Sequence, residues 1–391
     1  MDRNSIMIEL IRSEVCSRDS AQLSADQLTE EALLDLYKLS NSHDMAHIVA
    51  SALERSGALP KGREITSKFE RQKLTAFFRY EQINYALEEL CDTLEAAEVA
   101  FIPLKGSVIR GYYPEGWLRT SCDIDVLIHE EDLDRATSVL VERLGYKFEK
   151  RASHDVSLYS DGGVHVELHF DLIEENRFPR MVKTLSSVWD HAILAEGASY
   201  KHFLSDEMFF YYHIAHTAKH FTGGGCGIRP VLDLWILNHC LSARDTEKRR
   251  ALLEEGGLLR FADSLERLSE VWFSGFEKDD VSAALEEYIL SGGVYGNTEN
   301  GVAVGKNKKG GRVKYIFSRI FRPYKYLAAQ YPILKKHKWL TPVYEVVRWF
   351  KVIFEGRLGR YTRELKATTS VSREKLDSTA DLLSEIGLDE I

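Results

Sequence analysis

Two acidic residues, Asp123 and Asp125, stand two positions apart in the alternating segment Cys122 to Glu130. Side chains at positions i and i+2 of a strand project from one face about 7 Å apart, while Ile124 between them points into the core. Two carboxylates placed in this way repel each other unless a divalent cation lies between them. A cation pair held there activates an attacking hydroxyl and neutralises phosphate charge. The spacing therefore predicts a site for Mg²⁺ or Mn²⁺ that serves phosphoryl transfer.

A later strand-like segment, Val164 to Leu172, provides one further acid. Glu167 alternates with apolar residues in it, so it shares a face with His165 and His169. If this strand neighbours the first, Glu167 becomes the third carboxylate of the site, either as a metal ligand or as a general base. We expect His169 to support that carboxylate, and a His–Glu–His metal site is the alternative.

A turn of small and basic residues precedes the acids. Lys105, Gly106 and Ser107 follow a short apolar run and open a stretch compatible with a helix. At the start of a helix, backbone amides and a hydroxyl bind phosphate oxygens. We expect Gly106 and Ser107 to hold the terminal phosphate of a nucleotide, with Lys105 and Arg119 as nearby cations.

A histidine-bearing helix is predicted from Met208 to Phe221, and a second helix follows it. His213, His216 and His220 recur at i, i+3 and i+7, so they share one helical face. We expect a polar, cationic wall along the nucleotide cleft, in which Asp233 orients one of the cations. Its members are His216, Lys219, His220, Arg229 and Asp233. Zinc ligation by the three histidines is the alternative.

Hydrophobic periodicity predicts the elements that position these residues. Apolar residues at helical spacing predict short helices over 25–57, one long helix over 66–98, an amphipathic helix over 130–144 and helices throughout 178–287. Alternation predicts strands over 99–104 and 122–130, and two more that meet in a hairpin at Asp161, Gly162 and Gly163. The glycine-rich stretch 291–311 is predicted to be a loop or linker.

These elements predict an α+β fold with an α/β core, in which a small mixed sheet is flanked by helices. We expect four parts: an N-terminal helical segment over 1–98, the sheet-bearing core over 99–175, a helical domain over 176–290 that completes the cleft, and a last part over 291–391. The last part contains the glycine-rich linker, a basic segment and C-terminal helices.

A resemblance to a known family is carried by FIPLKGSVIRGYYPEGWLRTSCDIDVLIHEEDLDRA, GYKFE and VHVELHFDL. Together they resemble the core of a bacterial nucleotidyltransferase family found beside surface-polysaccharide genes, a branch of the DNA polymerase beta-like superfamily. The resemblance covers about residues 99–172 and extends more loosely to HIAHTAKHF, GIRPVLDLW and YPILKKHKWLTPVYEVVRWF. It implies that Lys105, Gly106 and Ser107 replace the glycine-serine nucleotide signature. It also implies that Asp123 and Asp125 are the metal-binding pair and that Glu167 is the third carboxylate.

The resemblance implies an enzyme of the 2.7.7 class, which moves an NMP from an NTP such as ATP to a hydroxyl or phosphate acceptor and releases pyrophosphate. Surface-polysaccharide metabolism is the implied setting. A toxin-like transferase that modifies tRNA or protein is one alternative. A nucleotide sensor with the same fold and no catalysis is another.

The charge of the chain is unevenly distributed. With 51 Lys and Arg against 60 Asp and Glu, the net charge is −9, which argues against general coating of nucleic acid. No acid lies between Asn300 and Tyr344, a stretch that holds eleven basic residues. We expect this basic segment, residues 306–338, to contact an anionic membrane surface or RNA, and a solvated lysine-rich loop is the alternative.

Cysteine usage and hydropathy predict where the protein works. The five cysteines form no CxxC pair, which argues against a disulfide framework and favours a reducing compartment. The first residues carry acids within their apolar stretch, which argues against an export signal. No run of 18 consecutive apolar residues occurs, which argues against a membrane-spanning helix. We expect a cytoplasmic protein, peripheral at the inner membrane face if the basic segment binds lipid, and no stable protein partner.

Two further patterns have structural interpretations. His43 and His47 at i and i+4 are similar in spacing to the histidines of a zinc-protease motif, but a helix surface is the favoured interpretation. A helical apolar stripe contains Val343, Val346, Val347, Phe350 and Phe354. It is predicted to pack in the core, and a membrane surface is the alternative.

Overall fold

The computed structural model describes residues 2–16, 23, 29–173, 178–241, 244–294, 296–309, 312–354 and 358–389. In these residues, helices surround a five-stranded mixed sheet and a separate two-stranded sheet. This arrangement confirms the predicted α+β class.

The N-terminal region is helical, as predicted. It consists of α1 (Arg3–Ile11), which continues as a π-helical turn (Arg12–Cys16), α2 (Glu30–Ser42), α3 (Ala46–Arg55) and α4 (Glu64–Ala96). In α4, Ala76, Ile83, Leu90 and Leu94 are buried along one stripe, so this long helix forms a supporting wall for the sheet.

The sheet brings its two site-bearing strands together at its centre. Its strands are β1 (Phe101–Pro103), β2 (Asp123–Ile128), β3 (Lys147–Arg151), β4 (Asp155–Tyr159) and β5 (His165–His169), in the order β1-β2-β5-β4-β3. The pair β2/β5 is parallel and every other pair is antiparallel. The short helix α5 (Gly106–Ile109) follows β1, and α6 (Leu133–Leu144) follows β2. The predicted β4–β5 hairpin is confirmed.

One face of the sheet is apolar and the other bears the site. Ile124, Val126, Val166 and Leu168 are fully buried in a cluster that includes residues of α4 and α6. Because side chains alternate along a strand, the intervening residues of β2 and β5 project from the opposite face. Burial of the apolar face therefore fixes which residues reach the cleft.

The helical domain contains two short strands that the sequence pattern did not predict. It consists of α7 (Pro179–Leu185), β6 (Ala192–Leu194), β7 (His202–Leu204), α8 (Asp206–Phe221), α9 (Arg229–His239), α10 (Thr246–Glu255), α11 (Leu259–Phe273) and α12 (Asp280–Leu290). The prediction of uninterrupted helices is wrong at β6 and β7. The Glu95 carboxylate accepts hydrogen bonds from the backbone amides of Ser199, Tyr200 and Lys201, which anchors this hairpin beside β1.

The glycine-rich stretch predicted to be a loop contains a helix, α13 (Thr298–Lys309). It packs against the C-terminal helices α18 (Leu358–Ser370) and α19 (Arg373–Glu385), with Val302, Ala303 and Val304 buried. Gly305 is required there because a Cβ would lie 2.2 Å from the Tyr315 ring. Gly305 thus permits close packing of α13 on its neighbours. The prediction of a loop over 291–311 is wrong at α13, because it treated glycine only as a loop former.

The remaining helices are α14 (Arg312–Ile320), α15 (Tyr324–Gln330), α16 (Ile333–Lys336), α17 (Thr341–Phe354), α18 (Leu358–Ser370) and α19 (Arg373–Glu385). Among the helices of the described chain, none combines the length and apolar character that a bilayer crossing requires.

Candidate active site

Parallel pairing of β2 and β5 sets two of the predicted acids opposite each other. In this register Asp125 is the partner of Glu167, and Asp123 is the partner of His165. One ligand atom from each of Asp125, Glu167 and His169 lies within 4.8 Å of the others. Asp123 is at the start of β2 and lies outside this group. The closest cluster is therefore two carboxylates and an imidazole.

Asp125 is buried and contacts two basic side chains. Its Oδ1 atom is 2.8 Å from Lys105 Nζ and 2.8 Å from His169 Nε2. Although burial alone would raise the pKa of Asp125, Lys105 and His169 hold it well below its usual range. Burial likewise opposes the charge of Lys105, but pairing with Asp125 raises the pKa of this amine above its ordinary value. Both groups are therefore ionised at neutral pH.

His169 links the two carboxylates. Its Nε2 lies 3.4 Å from Glu167 Oε2, besides its contact with Asp125. The hydrogen bond from His169 lowers the pKa of Glu167. Burial would lower the pKa of His169, but hydrogen bonding to Asp125 and Glu167 raises it. The predicted supporting contact of His169 is present, and Asp125 is the nearer of its two partners.

The acidic group fits a divalent cation. Carboxylate oxygens are the ligands that Mg²⁺ and Mn²⁺ prefer, whereas His169 could bind a cation through Nε2 only after losing the proton that it shares with Asp125. Burial, and next the neighbouring Asp125, raise the pKa of Asp123. Asp123 is thus a third acid near Asp125 and Glu167, whose basic partners are Lys105 and His169. The described residues therefore offer both the donor atoms and the charge for a cation.

The turn that precedes α5 has the features of a phosphate-binding loop. Lys105 adopts φ +47° and ψ −122°, which residues other than glycine seldom do. A Cβ on Gly106 would lie 3.2 Å from Ser121 Cβ, so the turn packs closely against the segment before β2. The buried Ser107 hydroxyl has no hydrogen-bond partner among the described residues. An unsatisfied buried hydroxyl is rare and is available to a ligand.

Arg110 braces this turn, although the sequence analysis did not single it out. Its Nε donates to the Gly106 carbonyl at 2.7 Å, and its Nη2 donates to Ser121 Oγ at 2.7 Å. The side chain is buried, so both bonds are shielded from water. They fix the distance between the turn and the strand that bears Asp123.

Arg119 and Asp233 form a buried ion pair. Arg119 donates from Nε and Nη2 to the Asp233 carboxylate, at 2.7 and 2.8 Å, and from Nη1 to the Thr120 carbonyl. The Tyr113 hydroxyl also donates to Asp233. Each guanidinium nitrogen of Arg119 is thus engaged within the protein. Asp233 was predicted to orient a cation of the wall on α8 and α9, but its partner is Arg119 in the loop before β2, so the pair joins this loop to α9.

The histidines of α8 do not converge as three ligands. His213 Nε2 lies 2.9 Å from the Pro230 carbonyl, whereas His216 and His220 approach each other with Nε2 atoms 3.2 Å apart. Burial, assisted by Lys105, lowers the pKa of His216 well below its ordinary value, and burial assisted by Lys219 lowers that of His220 to about 4. The expectation of cationic histidines is corrected, because both rings are neutral at pH 7.

Arg229 is committed to the N-terminal helices. Its Nη2 atom donates to the carboxylate of Asp44, which occupies the turn between α2 and α3. The same Nη2 atom lies 3.2 Å from Thr120 Oγ1. Thr120 Oγ1 in turn donates to Asp44 at 3.0 Å. Sequence reasoning missed Asp44 and Thr120. Asp44 is 76 positions from Thr120 and 185 positions from Arg229, and no local sequence pattern marks contacts over such separations.

The histidines on either side of Asp44 are not on a helix surface, so that prediction is wrong. His43 and His47 are buried, with 1% and 3% of their surface exposed, rather than on a helix surface. His47 Nε2 lies 2.9 Å from the carbonyl of Leu118, so it donates to the loop that precedes Arg119. Burial lowers the pKa of His47 to about 4. The N-terminal helices therefore help to position the loop before β2, which contains Arg119 and Thr120.

The part of the chain that forms this site matches a known protein family. A family model described as an uncharacterised nucleotidyltransferase matches residues 30–274, which is more than half of the chain. The chain belongs to this nucleotidyltransferase family. No curated protein and no solved structure matches the chain. The sequence resemblance is thus confirmed at the level of a nucleotidyltransferase, whereas the link to polysaccharide genes stays a prediction.

The bounds of the family match agree with the contacts of the site. They enclose Asp44 in the N-terminal helices, the sheet with Asp125 and Glu167, and Arg229 and Asp233 of α9. The nucleotidyltransferase unit therefore includes the helices on both sides of the sheet. The helices from α12 onward lie outside the match.

Proposed function

We propose that this nucleotidyltransferase moves an NMP from an NTP to a hydroxyl or phosphate acceptor and depends on Mg²⁺ or Mn²⁺. An acceptor oxygen would form a bond to the α-phosphorus, the bond from that phosphorus to the bridging oxygen of pyrophosphate would break, and the acceptor proton would be released. The observation that carries the proposal is the group formed by buried Asp125, half-buried Glu167 and buried His169, in a chain of this family. It lies beside the turn with the unsatisfied Ser107 hydroxyl.

The acids of the sheet are assigned to the cation. We assign Asp125 and Glu167 as ligands, with Asp123 at the edge of the same site. When bound, the cation would polarise the phosphate and neutralise its charge. The lowered pKa of Glu167 makes this carboxylate a weak proton acceptor. We therefore favour Glu167 as a ligand over Glu167 as a general base.

The turn before α5 is assigned to the phosphates. The Ser107 hydroxyl and the backbone of Gly106 would hold the outer phosphates, and Lys105 would contribute positive charge. Lys105 keeps 22% of its side chain exposed while it pairs with Asp125, so it faces both the acids and the cleft. Arg119 would act on the nucleotide through the position of its loop, because Asp233 and Thr120 engage its nitrogens.

The wall on α8 and α9 is assigned to the remainder of the nucleotide. His216 and His220 are neutral and share one N–H between their Nε2 atoms, so we propose that the ring that accepts this bond donates from its Nδ1 atom to a polar group of the nucleotide. Lys219 would supply positive charge to this wall, and Arg229 would hold the wall to the N-terminal helices through Asp44. Asp233 would keep the wall in register with the loop through its pair with Arg119.

Surface-polysaccharide metabolism is the proposed setting, with a sugar-phosphate or lipid-linked acceptor. The charge of the basic segment favours RNA as the second candidate, in a transferase that modifies tRNA. A nucleotide sensor would bind NTP and release no pyrophosphate.

Transfer of label from each NTP, labelled at the α-phosphorus, to components of a cell extract with Mg²⁺ tests the proposal. We expect label transfer with pyrophosphate release by the wild-type protein and none by Asp125→Asn. Asp161→Asn is the matched control, since Asp161 is an exposed acid in the hairpin turn. NTP binding without pyrophosphate release, with every extract fraction, would identify a sensor and reject the transferase.

A further inference from the structure

Helix α17 presents its apolar side to the solvent. Val343, Val346, Phe350, Ile353 and Phe354 are each more than half exposed, and Phe354 reaches 83%. At 100° per residue these five side chains fall within an arc of about 100°. The prediction that this stripe packs in the core is therefore wrong.

The opposite side of α17 is polar and buried. Glu345 and Arg348 are 8% and 5% exposed and pair with each other at 2.9 Å. Arg348 also donates to the Ile320 carbonyl, and Glu345 accepts from the backbone amide of Arg322. These bonds fix the rotation of the helix on α14. The outward direction of the apolar stripe is thus enforced by a buried ion pair and its backbone contacts.

Exposed cations and one large aromatic residue adjoin this stripe. Lys335, Lys336 and Lys338 are exposed on the segment that leads into α17, and Trp339 beside them is 75% exposed. This segment lies in the stretch between Asn300 and Tyr344 that contains no acid. Lys351 is exposed on α17 itself. A helix with an apolar stripe, flanking lysines and a tryptophan matches the composition of interfacial membrane helices.

We propose that the outward face of α17, with Lys335, Lys336, Lys338 and Trp339, docks on the surface of a bilayer that contains anionic lipid. The apolar side chains would enter the boundary between headgroups and acyl chains, and the lysines would bind the anionic headgroups. No bond is formed or broken. This inference is independent of the proposed transferase activity.

Charge and shape favour a lipid surface over two other occupants. Symmetric pairing of two copies through this face would bury the apolar stripe but would offer no acid to Lys335, Lys336 and Lys338, because the face itself contains none. RNA would engage the lysines and the aromatic rings, but it would leave the aliphatic Val343, Val346 and Ile353 without a suitable contact. A bilayer satisfies both the apolar stripe and the cations.

Sedimentation of the full-length protein with vesicles tests the proposal. One set of vesicles contains phosphatidylcholine with about 30 mol% phosphatidylglycerol, and the other contains phosphatidylcholine alone. We expect the protein to sediment with the anionic vesicles and to be released by salt. F350S/F354S should partition about tenfold less, because two exposed apolar rings are removed. F148S/F276S is the matched control, since it removes two other exposed rings and should bind as wild type does.

Four outcomes would overturn the proposal. One is wild-type protein that stays in the supernatant with anionic vesicles, and another is F350S/F354S that sediments as wild type does. The third is a dimer in light scattering that F350S/F354S abolishes while vesicles bind nothing. RNA binding that K335E/K336E/K338E removes and F350S/F354S leaves unchanged, without vesicle binding, would assign the surface to RNA instead. Circular dichroism of each variant separates loss of docking from loss of folding.

Discussion

Lys105 Nζ lies 2.8 Å from Asp125 Oδ1, and this contact joins the turn before α5, which we propose binds phosphate, to the strand that bears the proposed metal ligands. The backbone repeats the connection, because the Leu104 amide donates to the Asp125 carbonyl at 3.0 Å. A shift of the turn would therefore move the acid with it. In the proposed reaction, the groups assigned to the phosphates and those assigned to the cation keep one relative position.

Removal of Asp125 should have separable effects on stability and on activity. Asp125→Asn leaves the largely buried amine of Lys105 without its anionic partner, so we expect the free energy of unfolding to fall by roughly 2–3 kcal/mol. Label transfer should fall by about a thousandfold or more, because a metal ligand is lost. Urea unfolding and the transfer assay measure the two effects.

The double variant K105M/D125N is the control for this prediction. It removes both charges, so it should regain most of the lost stability while it stays inactive. Wild-type stability in the single variant would show that the ion pair contributes nothing. Activity in the double variant would remove Asp125 from the proposed reaction.

A single methyl group should disturb the phosphate turn. In Gly106→Ala the new Cβ would lie 3.2 Å from Ser121 Cβ and 3.4 Å from Arg119 Nη1, so the turn must shift by a few tenths of an ångström. We expect kcat/KM for the NTP to fall about tenfold, because small displacements of positioning groups are costly. Steady-state pyrophosphate release measures this effect. Gly111→Ala is the matched control, as its Cβ would have no neighbour within 4 Å, and an equal loss in both variants would contradict the prediction.

The Ser107 hydroxyl should matter for binding but not for folding. It is buried and has no partner among the described residues, so Ser107→Ala loses no hydrogen bond in the free protein. We expect the free energy of unfolding to stay within about 0.5 kcal/mol of wild type. NTP affinity should fall about tenfold, which calorimetry measures. Unchanged affinity would show that this hydroxyl does not reach the phosphates.

The acids of the sheet were predictable because one constraint acts on all of them. Burial of Ile124, Val126, Val166 and Leu168 on one face forces the intervening residues onto the other. The alternation therefore predicted which side Asp125 and Glu167 occupy. Their alignment depends on parallel pairing of β2 with β5, which no local pattern encodes.

Other features were not predictable because the sequence pattern does not say what an element packs against. The stripe on α17 has the same helical period whether it faces the core or the solvent, and contacts of Glu345 and Arg348 with α14 decide the direction. In the same way, β3 exposes all five of its residues, so it has no hydrophobic alternation to detect. The contacts of Asp44 with Thr120 and Arg229 depend on tertiary packing alone.

His47 should make stability depend on pH. Burial lowers its pKa in the folded state to about 4, whereas an unfolded chain has the ordinary value of about 6.5. Between these values the unfolded state binds a proton that the folded state refuses, so the free energy of unfolding falls as pH falls. The contribution of His47 is complete above pH 6.5 and shrinks by up to about 3 kcal/mol on the way to pH 4.

His47→Gln, which retains an N–H donor for the Leu118 carbonyl, should weaken this dependence. Urea unfolding at several values of pH from 7 to about 4.5 provides the comparison. His337→Gln, at an exposed position, is the matched control and should keep the wild-type slope. Equal slopes for wild type and His47→Gln would show that other buried groups, such as His216 and His220, account for the acid sensitivity.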